Sequence, residues 1–359
     1  MNPMIPLKTT PALLITLTLF CFALLPGAQA VVPPPPGGYP NFSTAAGDNA
    51  LKSLTTGAAN TGLGWRSLFS NSTDNFNTAV GAGILTLNNA DSNTAVGTAA
   101  LLFNSGGTGN TATGAFSLFY NTFGSGNTAN GASALFSNTT GYDNSAFGES
   151  ALRFNVDGFD NSAFGKDALY FNVNGYRNTA FGTGALKSNH YASDNTAVGA
   201  GALYSNDLSG SGNGIENCAF GSYAMHENSD GFSNSSFGWS ALFSNTTGSD
   251  NTAVGHQALF NNTEAGSNTA VGFQALFNES SGSSNTAIGY QAGFSVATAT
   301  NVTCIGANIG GADVSNTTWI GNVYGVPRKA VQPCQSLCPT QANWARLFPR
   351  SGSRKTSLR

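Results

Sequence analysis

Polar and apolar positions along this chain recur in one phrase. Its clearest form is Asn251-Thr252-Ala253-Val254-Gly255-His256-Gln257-Ala258-Leu259-Phe260. Asn77-Thr78-Ala79-Val80-Gly81, Asn178-Thr179-Ala180-Phe181-Gly182 and Asn285-Thr286-Ala287-Ile288-Gly289 repeat its opening. The closing glycine falls at 17 positions from Gly47 to Gly321; 13 of the 16 intervals are 17 residues, the others being 16, 22 and 15. A fixed period this short predicts one supersecondary unit stacked on itself.

Within a unit, Thr-Ala-Val-Gly reads as a short strand. Successive side chains alternate between faces, so Asn, Ala and Gly share one side while Thr and the Val/Phe position share the other. The Ala position stays small (Ala79, Ala95, Ala112, Ala129), which predicts a tight interior. The Asn before it (Asn127, Asn144, Asn161, Asn178) is expected to stack as a ladder of amides. The opposite face varies from Val80 through Asn130 to Phe164 and suits a surface that something else covers. Four residues past each glycine comes Leu, as at Leu118, Leu135 and Leu152, with Met225 in the same slot. This is a second interior stripe. An aromatic residue often follows (Phe119, Phe136, Tyr170, Phe243) and is expected to pack in the core or between chains. The segment Ala-Leu-Phe-x-Asn fits a strand and a single helical turn equally well, because periodicity does not separate the two in so short a run. Asn138 to Gly141 and Asn245 to Gly248 predict corners in which glycine takes positive φ. The expected fold is an all-β parallel solenoid of about sixteen 17-residue repeats, with short helical turns the only helix the pattern allows.

The flanks differ. Residues 1–30 read as a secretory signal peptide: Lys8 opens it, Ala12 to Leu25 is its apolar core, and Ala28-Gln29-Ala30 its cleavage site. The apolar run is too short for a membrane span and ends in Pro26-Gly27, so no transmembrane anchor is expected. Residues 31–40 hold Pro33 to Pro36, a stiff polyproline tether. The repeat region is taken as 41–325, interrupted by a polar insertion between Asn206 and Gly214 that reads as a bulging loop.

Charge sharpens this division. Only 9% of the chain is charged; between Val31 and Pro327 six basic residues face seventeen acidic ones, whereas the last 32 residues carry seven Lys/Arg and no acid. The acidic repeat region disfavours nucleic acid as a partner. Cys218 and Cys304 occupy the Thr and Ala slots of units five turns apart, too far for a disulfide, and His190, His226 and His256 fall at unrelated places in the unit. The acids are scattered singly, and Asp157, Asp160 and Asp167 are expected to be solvated. No catalytic, cofactor or metal site is expected, and no enzymatic activity.

The phrase Asn-Thr-Ala-Val-Gly-x-x-Ala-Leu resembles the head repeats of trimeric autotransporter adhesins. It is closer still to bacterial proteins that place such repeats before a tail-fibre-type intramolecular chaperone domain. The resemblance covers about four-fifths of the chain, from Asn41 to Tyr324. It implies a left-handed β-roll, a homotrimer, and a cell-adhesive, tail-fibre-like role. The period is longer than in the adhesin heads, and no anchor barrel follows. Read in a shifted frame, the codons from Cys338 onward permit SDAGQLGTAVPSKRFKKDIA, which resembles the opening of the chaperone domain. The tail, 326–359, is therefore read as frameshifted and disordered. The expected protein is a secreted or cell-surface fibre segment contacting a surface glycan or host matrix through many weak contacts. The alternative is a binding module whose repetitive Thr face (Thr78, Thr94, Thr111, Thr128) takes ice or polysaccharide.

Overall fold

The computed structural model describes residues 41–321. The expected signal peptide, tether and basic tail lie outside the described residues. Each copy of the phrase supplies one three-residue strand, from β1 (Thr44–Ala46) through β2 (Thr61–Leu63) and β3 (Thr78–Val80) to β17 (Thr318–Ile320). Every strand pairs in parallel with the next in sequence, without a shift: Thr128 lies beside Ser145, Ala129 beside Ala146, Asn130 beside Phe147. The irregular intervals keep this register, since Thr196 of β10 (Thr196–Val198) still pairs with Cys218 of β11 (Cys218–Phe220) across 22 residues. The chain is an all-parallel β-solenoid with no helix among the described residues. At about 4.8 Å per turn the stack is roughly 75 Å long.

The interior holds three kinds of side chain. Ala129, Ala146 and Ala163 line the strand side, Leu135, Leu152 and Leu169 the opposite side, and all are essentially fully buried. Between them run two amide ladders. In the strand-side ladder the backbone N–H of Asn144 donates to Asn127 Oδ1 at 3.0 Å, and Asn144 Nδ2 donates to the Gly158 carbonyl at 2.8 Å. In the corner-side ladder Asn155 Nδ2 donates to Asn138 Oδ1 at 2.7 Å and to the same Gly158 carbonyl at 2.9 Å. One carbonyl thus uses both lone pairs on amides of neighbouring rungs. Burial of so many amides is tolerable because nearly all of their groups are paired, Asn195 Nδ2 and Asn262 Oδ1 being the exceptions; an unpaired one costs about 1–3 kcal/mol.

The segment after the glycine is neither strand nor helical turn. It is a run of hydrogen-bonded turns in which Leu itself is left-handed, with φ of 51° at Leu135, 52° at Leu152 and 52° at Leu169. That conformation costs a non-glycine residue about 1–2 kcal/mol. It aims the Leu152 N–H at the Ala168 carbonyl of the next rung, 3.0 Å away, while Ser150 N–H reaches back to the Ala132 carbonyl at 2.9 Å. Complete burial of the side chain offsets the strain.

The glycines divide into two classes. Gly148, Gly165 and Gly182 have φ of 137–139°. A Cβ on Gly182 would sit 2.6 Å from the Gly199 carbonyl oxygen, so these positions accept nothing larger. The corner glycines correct the expectation made for them: positive φ falls not on Gly141 and Gly248 but two residues later, on Asp143 and Asp250. The corner slot takes Ala192 and Ala265 in other rungs, whose carbonyls still accept the ladder amides.

Candidate interaction surface

Alternation along each strand leaves two columns facing outward. The Thr column is mostly half-buried. Beside it Val80, Val96, Phe181, Phe237, Val254 and Ile288 are each between 37% and 58% exposed. The two columns contain no charged residue from Thr44 to Ile320, and the apolar column turns polar only at Thr113 of β5 (Thr111–Thr113) and Asn130 of β6 (Thr128–Asn130). Exposed apolar surface that is continuous over the length of a molecule marks an interaction face.

Apart from Phe119, which is buried, the aromatic residues of this stripe are not in the core, contrary to one half of their sequence expectation. They stand outside the Leu stripe and stack rung on rung. Tyr204, His226, Phe243, Phe260, Phe277 and Phe294 form one column, with centroids 5.0–5.7 Å apart and planes within 13° of parallel. Where the ring is missing a cation fills the gap: Lys187 Nζ lies 5.6 Å from the Tyr170 centroid and 5.5 Å from that of Tyr204. Burial in this stack lowers the His226 pKa, which favours the neutral ring. A second column, Trp239, His256, Phe273 and Tyr290, follows the recurring glycine at spacings of 4.7–5.2 Å. Beside it in sequence Gln274 Nε2 donates to Gln257 Oε1, and Gln291 Nε2 to Gln274 Oε1, each at 2.9 Å. Ring faces are thus occupied by the rings above and below. A face covered in this way is not free to stack a sugar, and the columns suit packing against another apolar face.

Other candidates separate. Cys218 lies in the Thr column between Thr196 and Ser235, Cys304 in the Ala column beside Ala287, and both are free thiols. Burial pushes the Cys304 thiol up to about 11. His190 Nδ1 donates to the Asp207 carbonyl at 3.0 Å, His226 and His256 sit in different aromatic columns, and among the described residues no three His, Cys, Asp or Glu side chains gather as for a metal ion. Among the described strands a Thr-x-Thr pair occurs in β5 alone, so the Thr face is one row of hydroxyls rather than a two-dimensional array. Asn138 and Asn245 are buried with Nδ2 engaged in the ladder, so their Asn-x-Ser/Thr contexts offer no free amide.

Asp157 and Asp160 are exposed as expected, and Asp167 is half-buried near Lys187, 3.7 Å away. Three acids depart from the scattered, solvated pattern. In regular corners, three successive backbone N–H groups converge on one carbonyl of the next rung; those of Thr122, Phe123 and Gly124 meet the Thr139 oxygen at 2.9–3.1 Å. Such a nest binds an anion as readily as a carbonyl. At the insertion Asp207, fully buried, takes this role, accepting from Tyr191 at 2.7 Å and Ala192 at 3.2 Å. At the last turn Asp313 Oδ1 accepts from Ala297, Thr298 and Ala299 at 2.7–3.0 Å, which holds its carboxyl down at about 2. The third, Glu279, is buried in the corner-side ladder. Two of the three irregular glycine intervals, 22 and 15, thus carry an Asp in this role.

No family model, curated protein or solved structure matches this sequence. No helix among the described residues is long and apolar enough to cross a membrane.

Proposed function

We propose that this chain is an exported structural and adhesive fibre segment that works as a self-associated rod, the homotrimer being the expected form. The observation that carries the reading is the charge-free outward face of the sheet, with an apolar residue on nearly every rung. A second copy of the same face is its natural cover: both are uncharged and equally long. A ribbon roughly 75 Å long and about 10 Å wide buries on the order of 750 Å² per copy, near the area of a standard stable interface. With that face covered, the polar corners and the single insertion remain displayed at regular spacing. Repetition of weak contacts along a rigid rod then supplies avidity to a surface or glycan without one strong site.

Retention of the full chain on glycan and matrix-coated surfaces tests the adhesive role. Deleting three whole units from the centre, residues 128–178, keeps the stack in register and is expected to weaken retention at least tenfold. Full retention after that deletion, or no retention of the intact chain on any surface, contradicts it.

A further inference from the structure

The corner-side ladder is consistent only while each rung gives a donor to the rung before it. Asn138, Asn155 and Asn172 do so in turn, and Asn262 Nδ2 still donates to Asn245 Oδ1 at 2.7 Å. The next residue in the column is Glu279, as fully buried as the asparagines. Its Oε1 accepts the Gly282 N–H and its Oε2 accepts Asn285 Nδ2 at 3.0 Å. Neither bond serves Asn262, whose Oδ1 is buried without a partner. On the far side the column continues with Val296, buried and apolar. An ionised carboxylate in this slot has no proton to give; a carboxylic acid has one O–H.

We infer that Glu279 is a proton-binding site that terminates the amide ladder: neutral, it donates to Asn262 Oδ1 and locks the C-terminal rungs, and ionised, it loosens them. The surroundings agree. Burial pushes the Glu279 carboxyl up to about 7, opposed in part by the Gly282 N–H, and like charge on Asp313 raises it further. Glu264, in the exposed corner one rung earlier, has the same sign, and none of the ion pairs among the described residues involves Glu279. Between the ordinary carboxyl range and about 7 the folded chain holds a proton that the unfolded chain releases. Stability therefore falls as pH rises through that window and levels off above it.

The chain has five glutamates, Glu149, Glu216, Glu227, Glu264 and Glu279, so carboxyl-labelled glutamate gives few signals to follow. In the full chain one of them is expected to titrate at about 7 and to vanish in E279Q; titration of all five in the ordinary range overturns the inference. Amide exchange at rungs 268–305 is expected to quicken at least tenfold between pH 5 and pH 8 beyond its intrinsic rate. E279Q, which supplies an N–H in place of the acid proton, is expected to abolish that increase, and E264Q to leave it intact. Equal pH response in the intact chain and E279Q contradicts it, and should E279Q fail to fold, the titration of the intact chain decides.

Discussion

The middle rungs and the C-terminal turns solve one problem in two ways. Between Gly114 and Gly199 each rung hands its unsatisfied N–H groups to carbonyls of the next, and each buried amide to the amide beside it. After Glu279 backbone pairing continues, as from the Thr286 N–H to the Val302 carbonyl, but the asparagine columns run out after Asn285. There the Leu slot becomes Gly293, the Asn slots become Val296 and Val302, and Ile309 and Trp319 pack over the end of the core. Asp313 replaces the missing carbonyl. Backbone donors must be paired wherever they are buried, so a stack of equal rungs is held by repetition in its middle and by carboxylates and apolar plugs at its end. The insertion is an intermediate case. Asp207 fills its nest, but Asn195 Nδ2 of the neighbouring strand-side ladder is left unpartnered.

The contrast is broken most severely at the recurring glycine. Gly182→Ala places a methyl against the next rung's backbone at a φ of 137°. It is expected to cost more than about 4 kcal/mol, the range of the most disruptive single changes. Gly83→Ala, at φ 65° with the nearest atom 3.7 Å away, is expected to cost only about 1 kcal/mol. Denaturant midpoints of the two variants separate the effects. Next comes the ladder: Asn155→Ala leaves Asn138 Oδ1 and the Gly158 carbonyl each short of a donor and is expected to cost about 2–4 kcal/mol.

At the end of the stack the expected effects are smaller and depend on pH. The Asp313 carboxyl is depressed to about 2 by backbone donors. Its contribution is present above the ordinary carboxyl range and is lost as pH falls through about 2. Asp313→Asn is expected to destabilise the last turn at pH 7 and to flatten this acid limb, read by amide exchange at 297–299. The smallest effect belongs to Cys304→Ala, because Ala fills this slot in the adjacent β15 (Thr286–Ile288). It is expected to change stability by less than about 1.5 kcal/mol. In the intact chain the Cys304 thiol is expected to react with alkylating reagents far more slowly than that of Cys218.

The period of the glycines made the solenoid legible, and alternation along Thr-Ala-Val-Gly placed Ala and the strand-side Asn inside. The left-handed Leu was not legible. Nothing in the identity of a leucine announces positive φ, and only the rung above and below explains why the strain is tolerated. The corner glycines misled because a glycine does not by itself announce positive φ: Ala192 and Ala265 fill the same slot in other rungs, and the left-handed residue lies two positions on. The aromatic columns were visible as a stripe, but whether rings face inward or stack outside depends on the turn at Leu. Asp207 and Asp313 sat at two of the three breaks in spacing and were open to discovery there. Glu279 was open to discovery as well, being an acid that follows an unbroken run of Asn from Asn71 to Asn262 in its column; its burial was overlooked because acids were read as solvated.

The self-associated rod rests on the charge-free sheet face being covered by copies of itself. Light scattering of residues 31–359 measures this most directly. A mass that is a multiple of the single chain, three in the expected form, is the predicted result, with Val254→Lys and Val271→Lys together reducing it to one. A well-folded particle of single-chain mass at micromolar concentration would contradict it.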